Sequence, residues 1–330
     1  MAAMIRDRIS PPTDVKPSFK GRNVLVTGSN VGMGFEAAVK FAALGAERLI
    51  LGVRSLKKGE DAKAEIERRT GKKGVVEVWR LDMGDYESIK AFAKRVDSEL
   101  EHLDVACLNA GVAHFEYETS QYGWDATLQI NTISTALLST LLLPKLKASK
   151  TGGSVPLLQL VSSNAHVYVA SVKDGARKAD SPLQFYSDRE NFNGFPQYAI
   201  SKLFLQFVQA GLIKSLGPVE KAGVEVVTIC PGATKSTLSR DDFSIAVRLL
   251  LKLFQAILRK PTEQGARVYM VSADMAGKGH GGFYSYGKIQ EPAATLVGVE
   301  NEKLQEKVWE DVLKALRKDE PQVDTFLAHI

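Results

Sequence analysis

The sequence has few cysteines, no long apolar run and no strong excess of one charge. Only two cysteines, Cys107 and Cys230, occur in 330 residues, which excludes a disulfide-framed secreted domain and favours buried thiols in a reducing compartment. The longest uninterrupted apolar runs are about ten residues or fewer, too short to cross a bilayer. The N-terminus has charges and prolines instead of an apolar signal core. We therefore expect a cytoplasmic protein without a spanning segment.

Charged residues of both signs are interspersed along the chain. The 43 basic and 38 acidic residues give a net charge of +5. Because the basic residues form no dense block with interleaved aromatics, the sequence predicts no nucleic-acid partner. Hydrophobic residues make up 45% and charged residues 25% of the chain, an ordinary globular composition with ample length for a large core. We assign no metal site.

Short apolar runs alternate with helical patterns along most of the chain. The seven predicted strands are 23–27, 48–53, 75–81, 105–109, 155–162, 224–230 and 282–286. Strands that alternate with helices indicate βαβ units, and mostly apolar strands indicate a sheet covered on both faces. The predicted fold is α/β: a single doubly wound Rossmann domain, whose seven-stranded, mostly parallel sheet has helices on both faces.

This pattern assigns residues 21–290 to the Rossmann domain. An N-terminal arm at 1–20 is expected to be loosely held, and a helical extension follows at 291–330. The amphipathic stripe of the extension predicts a helix that docks on the domain or on a second subunit.

Two segments interrupt the alternation and are predicted to be substrate-side insertions, at 164–196 and 237–260. The second contains a mostly apolar helical pattern over 243–258 with one narrow polar stripe. We interpret it as a small lid over a hydrophobic small-molecule substrate, with a core helix or a membrane-surface helix as alternatives.

A glycine-rich turn follows the first predicted strand. Gly28 allows a tight turn, Gly32 lets the backbone approach a pyrophosphate, and Gly34 allows helix and strand to pack closely. The helix that follows offers N–H groups and a positive dipole to phosphates. Three glycines can merely form a turn, but a strand before and a helix after favour a dinucleotide site. The predicted cofactor-binding residues here are Gly28, Asn30, Val31, Gly32, Met33 and Gly34.

The end of the second predicted strand indicates which cofactor binds. An NAD enzyme places Asp or Glu near this point to hold the ribose hydroxyls, but no acidic residue occurs before Glu60. Arg54 can instead pair with the 2′-phosphate, so the sequence predicts NADP(H) in preference to NAD. Asp82 is either an acceptor for the adenine amine or a plain turn residue. Asn109-Ala110-Gly111 ends the fourth strand, where small residues would let the cofactor lie against the sheet.

Tyr198 and Lys202 are spaced i, i+4, so a helix places them on one face. A nearby ammonium stabilises a phenolate, and we expect it to lower the tyrosine pKa towards a value useful at neutral pH. Two other tyrosines, Tyr86 and Tyr284, also have a lysine four residues later. The first is typical of surface-helix packing and the second lies in an extended stretch. Only Tyr198 follows a strand that ends in hydroxyls, Ser162-Ser163, where ligands bind in doubly wound sheets.

Together these motifs resemble the short-chain dehydrogenase/reductase family over roughly residues 20–290. The family's glycine motif, TGxxxGxG, matches Thr27 through Gly34, and its NAG matches 109–111. The proline-glycine turn after its sixth strand matches Pro231-Gly232, with Ser236 in the position of a cofactor-contacting threonine. The tetrad that the resemblance implies is Asn131, Ser163, Tyr198 and Lys202.

The resemblance also implies a role for each tetrad residue. Tyr198 would be the acid/base, Lys202 would tune its pKa and bind the nicotinamide ribose, Ser163 would donate to the substrate oxygen, and Asn131 would hold a water in a proton relay. Ser163 fits the family strand better than Ser162. Ser163 and Tyr198 are 35 residues apart, more than in many members. Longer insertions occur in retinol-dehydrogenase-like and fungal specialised-metabolism members, which this chain resembles most.

These features predict an NADP(H)-dependent oxidoreductase that interconverts a ketone and a secondary alcohol. Reduction of a conjugated double bond, or epimerisation, is an alternative on the same scaffold. A non-catalytic dinucleotide-sensing protein is the alternative from another class, although such a protein has no need of all four tetrad residues. Family members form dimers or tetramers, so the resemblance implies a homo-oligomer, whose usual interface the C-terminal extension could block or replace.

Overall fold

In the computed structural model, which describes residues 11–149, 155–234, 259–275 and 277–328, one mixed sheet runs through the molecule. Its strands within these ranges are β1 (Asn23–Thr27), β2 (Arg48–Val53), β3 (Val76–Arg80), β4 (Val105–Leu108), β5 (Leu157–Val161), β6 (Glu225–Ile229), β7 (Phe283–Ser285) and β8 (Lys288–Ile289). The order is β3-β2-β1-β4-β5-β6-β7-β8, parallel through β7, with β8 antiparallel. The predicted doubly wound fold is confirmed, and the two-residue β8 adds a hairpin to the seven predicted strands.

Helices cover both faces of the sheet. They are α1 (Gly32–Ala43), α2 (Leu56–Thr70), α3 (Tyr86–Glu99), α4 (Ala126–Ala148), α5 (Asp174–Lys178), α6 (Pro182–Ser187), α7 (Gly194–Leu216), α8 (Val219–Ala222), α9 (Thr262–Ala273), α10 (Val299–Asp319) and α11 (Val323–Ala328). Strand side chains alternate between the faces. Along β1, Leu25 joins the core under α3, α4, α7 and α10, while Val24 and Val26 join the core under α1, α2 and α9.

Helix α4 is long and apolar over most of its length. By length and composition alone it could span a membrane, a possibility that the lengths of the apolar runs did not suggest, but 89% of its most apolar 18-residue window is buried inside the fold. Its packing against β4, β5 and α3 accounts for this apolar character. Near its start the helix widens into a π-helical turn, Gln129–Ile133, which carries Asn131.

Residues 11–20 contain no helix or strand apart from the turn that begins at Lys20, and half of them are exposed, but two points of this segment contact the domain. Phe19 is fully buried, and its ring centroid lies 4.8 Å from that of Phe41 in an edge-to-face contact. Asp14 forms an ion pair with Lys40 of α1 at 3.2 Å. These contacts join the segment before β1 to α1.

Of the two predicted insertions, 164–196 is described by the structure, whereas most of 237–260 is not. Segment 164–196 begins with a 3₁₀ turn, Asn164–Tyr168, and continues through α5 and α6 to the start of α7. The predicted lid at 243–258 lies outside the described residues. Its continuation, Lys260, is buried, and its backbone N–H donates to the carbonyl of Ala233 at 3.0 Å.

The C-terminal extension docks on the domain, as one of the two predicted alternatives states. Its apolar stripe is buried in the core that α7 also lines. Trp309 of α10 lies directly over Gly211 of α7, where an added Cβ would be 2.3 Å from the indole ring. Only a residue without a side chain allows this approach.

Candidate active site

A cleft of about 670 Å³ opens at the carboxyl ends of the strands, beside the point where the strand order reverses between β1 and β4. The predicted site residues that line it are Gly28, Asn30, Val31, Gly32, Met33, Arg54, Asp82, Asn109, Ala110, Gly111, Ser163, Tyr198, Lys202, Pro231 and Gly232. Gly34 and Asn131 lie behind its wall, and Ser236 lies outside the described residues. The parallel sheet thus brings together residues that are up to about two hundred positions apart in sequence.

The glycine-rich turn has the form of an anion cradle. Gly28 has φ 64°, and an added Cβ would lie 2.9 Å from the Cα of Ala110. Gly32 has φ 64° with open space beside it, so its backbone conformation is what requires glycine. The residue before α1, Val31, is extended and gives the helix no side-chain cap. The first N–H groups of α1 therefore have no partner within the helix and can bind a phosphate.

Gly34 makes a contact that the sequence does not reveal. A Cβ at this position would lie 2.4 Å from Nδ2 of Asn109 and 2.8 Å from the carbonyl oxygen of Gly28. Asn109 therefore fills the space that the third glycine leaves open. The first turn of α1, the glycine-rich turn and the end of β4 meet at this side chain.

The far end of the cleft carries the residues predicted to bind the adenosine half of the cofactor. Arg54 is exposed at the end of β2, and its carbonyl accepts a hydrogen bond from Nη1 of Arg80 at 3.3 Å. Asp82 lines the cleft, and its Oδ1 also accepts from the N–H of Gly84 at 3.0 Å. Asp82 thus closes a turn, one of its two predicted roles, while it remains exposed to the cleft.

Ser163 and Tyr198 form a hydrogen-bonded pair in the cleft. Burial raises the pKa of Tyr198 to about 12, and the hydrogen bond from Ser163 acts in the opposite direction. Burial likewise lowers the pKa of Lys202 to about 8. Nζ of Lys202 donates to the carbonyl of Val161 at 2.8 Å and lies 5.9 Å from the centroid of the Tyr198 ring. The pKa of Tyr198 therefore lies above its ordinary value instead of below it as expected, and the group that acts to lower this pKa is Ser163, not Lys202.

The two serines after β5 point to different partners. Ser162 is buried, and its Oγ accepts a hydrogen bond from Nε2 of Gln206 at 2.8 Å. Both serines line the cleft, but it is Ser163 that is hydrogen-bonded to Tyr198, and the Oγ of Ser163 also accepts from the N–H of Ala165 at 3.1 Å. The geometry therefore favours Ser163 as the serine that can reach a substrate beside Tyr198.

Asn131 is fully buried on the π-helical turn of α4. Its side-chain amide forms two hydrogen bonds with the backbone of Val112. Nδ2 donates to the carbonyl at 2.8 Å, and Oδ1 accepts from the N–H at 2.9 Å. Nδ2 also donates to Oγ of Ser201 at 3.0 Å. An added Cβ on Gly111 would lie 3.0 Å from Oδ1 of Asn131 and 3.6 Å from Nζ of Lys202, so the amide and the ammonium are near neighbours. The role of Asn131 in holding a water stays a prediction.

Sequence reasoning missed several side chains that support the catalytic wall, by which we mean the side of the cleft lined by Ser163, Tyr198 and Lys202. Thr228 of β6 places Oγ1 3.1 Å from Oε1 of Gln206 and 3.0 Å from Oε1 of Gln209. Sγ of Cys230 accepts from the N–H groups of Asn164 at 3.2 Å and Gly232 at 3.3 Å, which joins the turns after β5 and β6. The available signal was the pair of glutamines, three residues apart, in an otherwise apolar stretch of α7.

Known proteins match this chain in sequence and in fold. The short chain dehydrogenase family model matches residues 22–173. The short-chain dehydrogenase/reductase ffsI of Aspergillus flavipes is 41% identical over 96% of this chain and 92% of its own length. The short-chain dehydrogenase/reductase phmF of Phaeosphaeria nodorum is 42% identical over 97% and 94%.

Two solved structures share the fold. The NADPH-bound carbonyl reductase from chicken fatty liver matches with a TM-score of 0.59 at 24% identity, over 82% of this chain and 99% of that one. A metagenomic short-chain oxidoreductase in complex with NADP matches with a TM-score of 0.57 at 22% identity, over 83% and 100%.

Proposed function

Because this chain belongs to the short-chain dehydrogenase/reductase family, we propose that it is an NADP(H)-dependent oxidoreductase that interconverts a ketone and a secondary alcohol on a hydrophobic small molecule. The observation that carries the proposal is the hydrogen-bonded pair of Ser163 and Tyr198, in the same cleft as the glycine-rich turn. A protein that only senses a dinucleotide has no need of an oriented proton donor beside the cofactor site.

The residues present fit a dinucleotide phosphate. The glycine-rich turn and the uncapped start of α1 would hold the pyrophosphate, since both offer backbone N–H groups. Arg54 would pair with the 2′-phosphate, because a guanidinium matches a phosphate dianion. Lys202 would bind the nicotinamide ribose. When bound, the cofactor supplies the hydride that reduces the carbonyl carbon.

The proton chemistry is assigned to the tetrad. Ser163 holds the carbonyl oxygen of the substrate, and Tyr198 donates the proton that this oxygen needs as the carbon is reduced. With a pKa near 12, Tyr198 is protonated at neutral pH and is ready to act as the acid. The ammonium of Lys202 stabilises the phenolate left behind, since the single hydroxyl proton of Ser163 is donated to the substrate oxygen. Oxidation of the alcohol uses the same groups in reverse.

Three broader proposals accompany the assignment. A role in specialised metabolism is supported by the two fungal relatives. A cytoplasmic location is supported by two buried cysteines that form no disulfide. If the protein is a homo-oligomer, its interface uses a surface other than the apolar stripe of α10, since that stripe is buried against the domain.

Turnover with NADPH on a panel of hydrophobic ketones and enones, followed by chiral product analysis, tests the proposal. We expect secondary alcohols from ketones, with NADPH preferred to NADH. A saturated ketone formed from an enone would instead indicate a double-bond reductase. Inversion of a stereocentre without net NADPH oxidation would indicate an epimerase. NADPH binding without turnover on any compound of the panel would contradict an enzymatic role.

A further inference from the structure

A buried chain of hydrogen bonds joins α9 to the glycine-rich turn. We propose that Tyr269 of α9 is a positioning residue for the NADP(H) site: its hydroxyl fixes the amide of Asn109 in the orientation that supports the turn. The inference rests on the proposed function, because it takes NADP(H) as the ligand of the cleft. It assigns a part in cofactor binding to a residue that no sequence motif of this chain includes.

The hydrogen bonds define one orientation of the Asn109 amide. The hydroxyl of Tyr269, which is fully buried, donates to Oδ1 of Asn109 at 2.7 Å. Nδ2 of Asn109 in turn donates to the carbonyl of Thr27 at 2.9 Å and to that of Gly28 at 3.3 Å. One end of the amide therefore faces α9 and the other faces the glycine-rich turn.

The orientation matters because the two ends of an amide have opposite hydrogen-bonding roles. A flipped Asn109 would present its oxygen to the carbonyl oxygens of Thr27 and Gly28, which need a donor. The hydroxyl of Tyr269 stays a neutral donor, since burial raises its pKa well above the ordinary value. Without this hydroxyl, Oδ1 loses its only donor among the described residues, and the preference for the observed orientation weakens.

The same amide touches the start of α1. Nδ2 of Asn109 lies 2.4 Å from where a Cβ on Gly34 would be. A displaced amide would therefore press on the first turn of α1, whose N–H groups are those expected to bind the pyrophosphate. Tyr269 also lines the cleft, but its hydroxyl is bonded to Asn109, so it acts on the cofactor site through that amide and we infer no direct chemistry for it.

Tyr269 is itself held in place on two sides. Nε2 of Gln159, buried on β5, donates at 2.8 Å to the carbonyl of Tyr269 and at 2.8 Å to Oγ of Ser272. At the other end of α9, Glu263 forms an ion pair with Lys40 of α1 at 2.6 Å. Helix α9 is thus fastened to the sheet and to α1, so its tyrosine can serve as a fixed reference for the amide.

The test compares Tyr269→Phe with Tyr284→Phe, which removes a hydroxyl from another tyrosine in the same core but outside this chain of bonds. NADPH dissociation constants are measured by fluorescence titration, with thermal unfolding of each variant without cofactor. We expect Tyr269→Phe to weaken NADPH binding about tenfold, the scale of one lost hydrogen bond with an unpaired buried acceptor. Tyr284→Phe should change the constant less than about twofold. In an Asn109→Ala background, Tyr269→Phe should have no further effect, since its action passes through that amide.

Each outcome decides something. Equal NADPH affinity in wild type and Tyr269→Phe would overturn the inference and leave the proposed function standing. Failure of the wild type to bind NADPH would overturn both. If Tyr269→Phe does not fold, the inference is tested instead by amide hydrogen exchange of the wild-type protein with and without NADPH. NADPH should then slow amide exchange in 262–273 together with that in 27–34, and protection of 27–34 alone would contradict the inference.

Discussion

The two walls of the cleft are built by different means. The wall expected to bind the cofactor is made mainly of backbone: a few consecutive residues after β1 form the turn, glycines with backbone N–H groups make the cradle, and the distant side chain of Asn109 supports it. The catalytic wall depends on side chains far apart in sequence, such as Ser162 with Gln206, 44 residues away, and Lys202 with Val161, 41 residues away. Binding a phosphate requires space and N–H groups. Transferring a proton requires oriented side chains, and each of these side chains is held by hydrogen bonds to other residues.

The largest predicted effect that tests this difference between the two walls is the loss of turnover when one of the two neighbouring serines is replaced. Ser163→Ala should lower kcat about 100-fold, because it removes both the partner of Tyr198 and the donor to the substrate oxygen. Ser162→Ala should keep kcat within about threefold and lower stability by roughly 1–2 kcal/mol, since Gln206 loses its acceptor. Steady-state kinetics and denaturant unfolding measure both effects. A greater loss of turnover in Ser162→Ala would reverse the assignment of the two serines.

On the cofactor wall, Gly34→Ala should weaken NADPH binding about 30-fold. The added methyl would lie 2.4 Å from Nδ2 of Asn109, and overpacking of this kind costs about 2 kcal/mol. Gly74→Ala is the control for replacing a glycine outside the cleft: unlike Gly34 it has a φ of 76° that disfavours a side chain, but nothing lies within 4 Å of the added methyl. Titration with NADPH should show a change only for Gly34→Ala. Unchanged affinity in both variants would mean that the close contact is not needed for the cradle.

At the exposed end of the same wall, Arg54→Ala should weaken NADPH binding about tenfold and leave NADH binding nearly unchanged, since only NADPH carries the 2′-phosphate. Lys58→Ala, an exposed lysine in the first turn of α2, serves as the control for general loss of positive charge. Dissociation constants for both cofactors at one ionic strength decide the question. Equal losses for NADPH and NADH would contradict a role in selectivity.

The smallest predicted effect is a pH dependence that arises on the catalytic wall. The pKa of Lys202 is lowered to about 8, so its charge is present below that pH and is lost as the pH rises through it. Tyr198, with a pKa of about 12, stays protonated over this range. The kcat/KM for reduction should therefore decline above about pH 8. Lys202→Arg keeps the charge at all these pH values, so its lower kcat/KM should show no such decline, and an identical decline in both proteins would exclude Lys202 as its cause.

The sequence predicted the cofactor wall more completely than the catalytic one, for a physical reason. The first strand and the glycines that follow it depend on neighbouring residues, and β1 and β2 have the predicted bounds. The hydrogen bond from Tyr269 to Asn109 joins residues 160 positions apart, so no local sequence pattern predicts it. The high pKa of Tyr198 also escaped prediction, because desolvation depends on what the folded chain places around the ring. Phe19 was assigned to a loose arm because its partner, Phe41, is adjacent only in the fold.

Tyr198→Phe tests the central claim most directly, since it removes one hydroxyl and leaves the ring. Turnover of a ketone substrate with saturating NADPH is measured beside the NADPH dissociation constant of the same preparation. We predict that turnover falls by at least about 100-fold while the dissociation constant stays within about threefold of the wild-type value. Turnover close to that of the wild type, with intact cofactor binding, would contradict the assignment of Tyr198 as the proton donor.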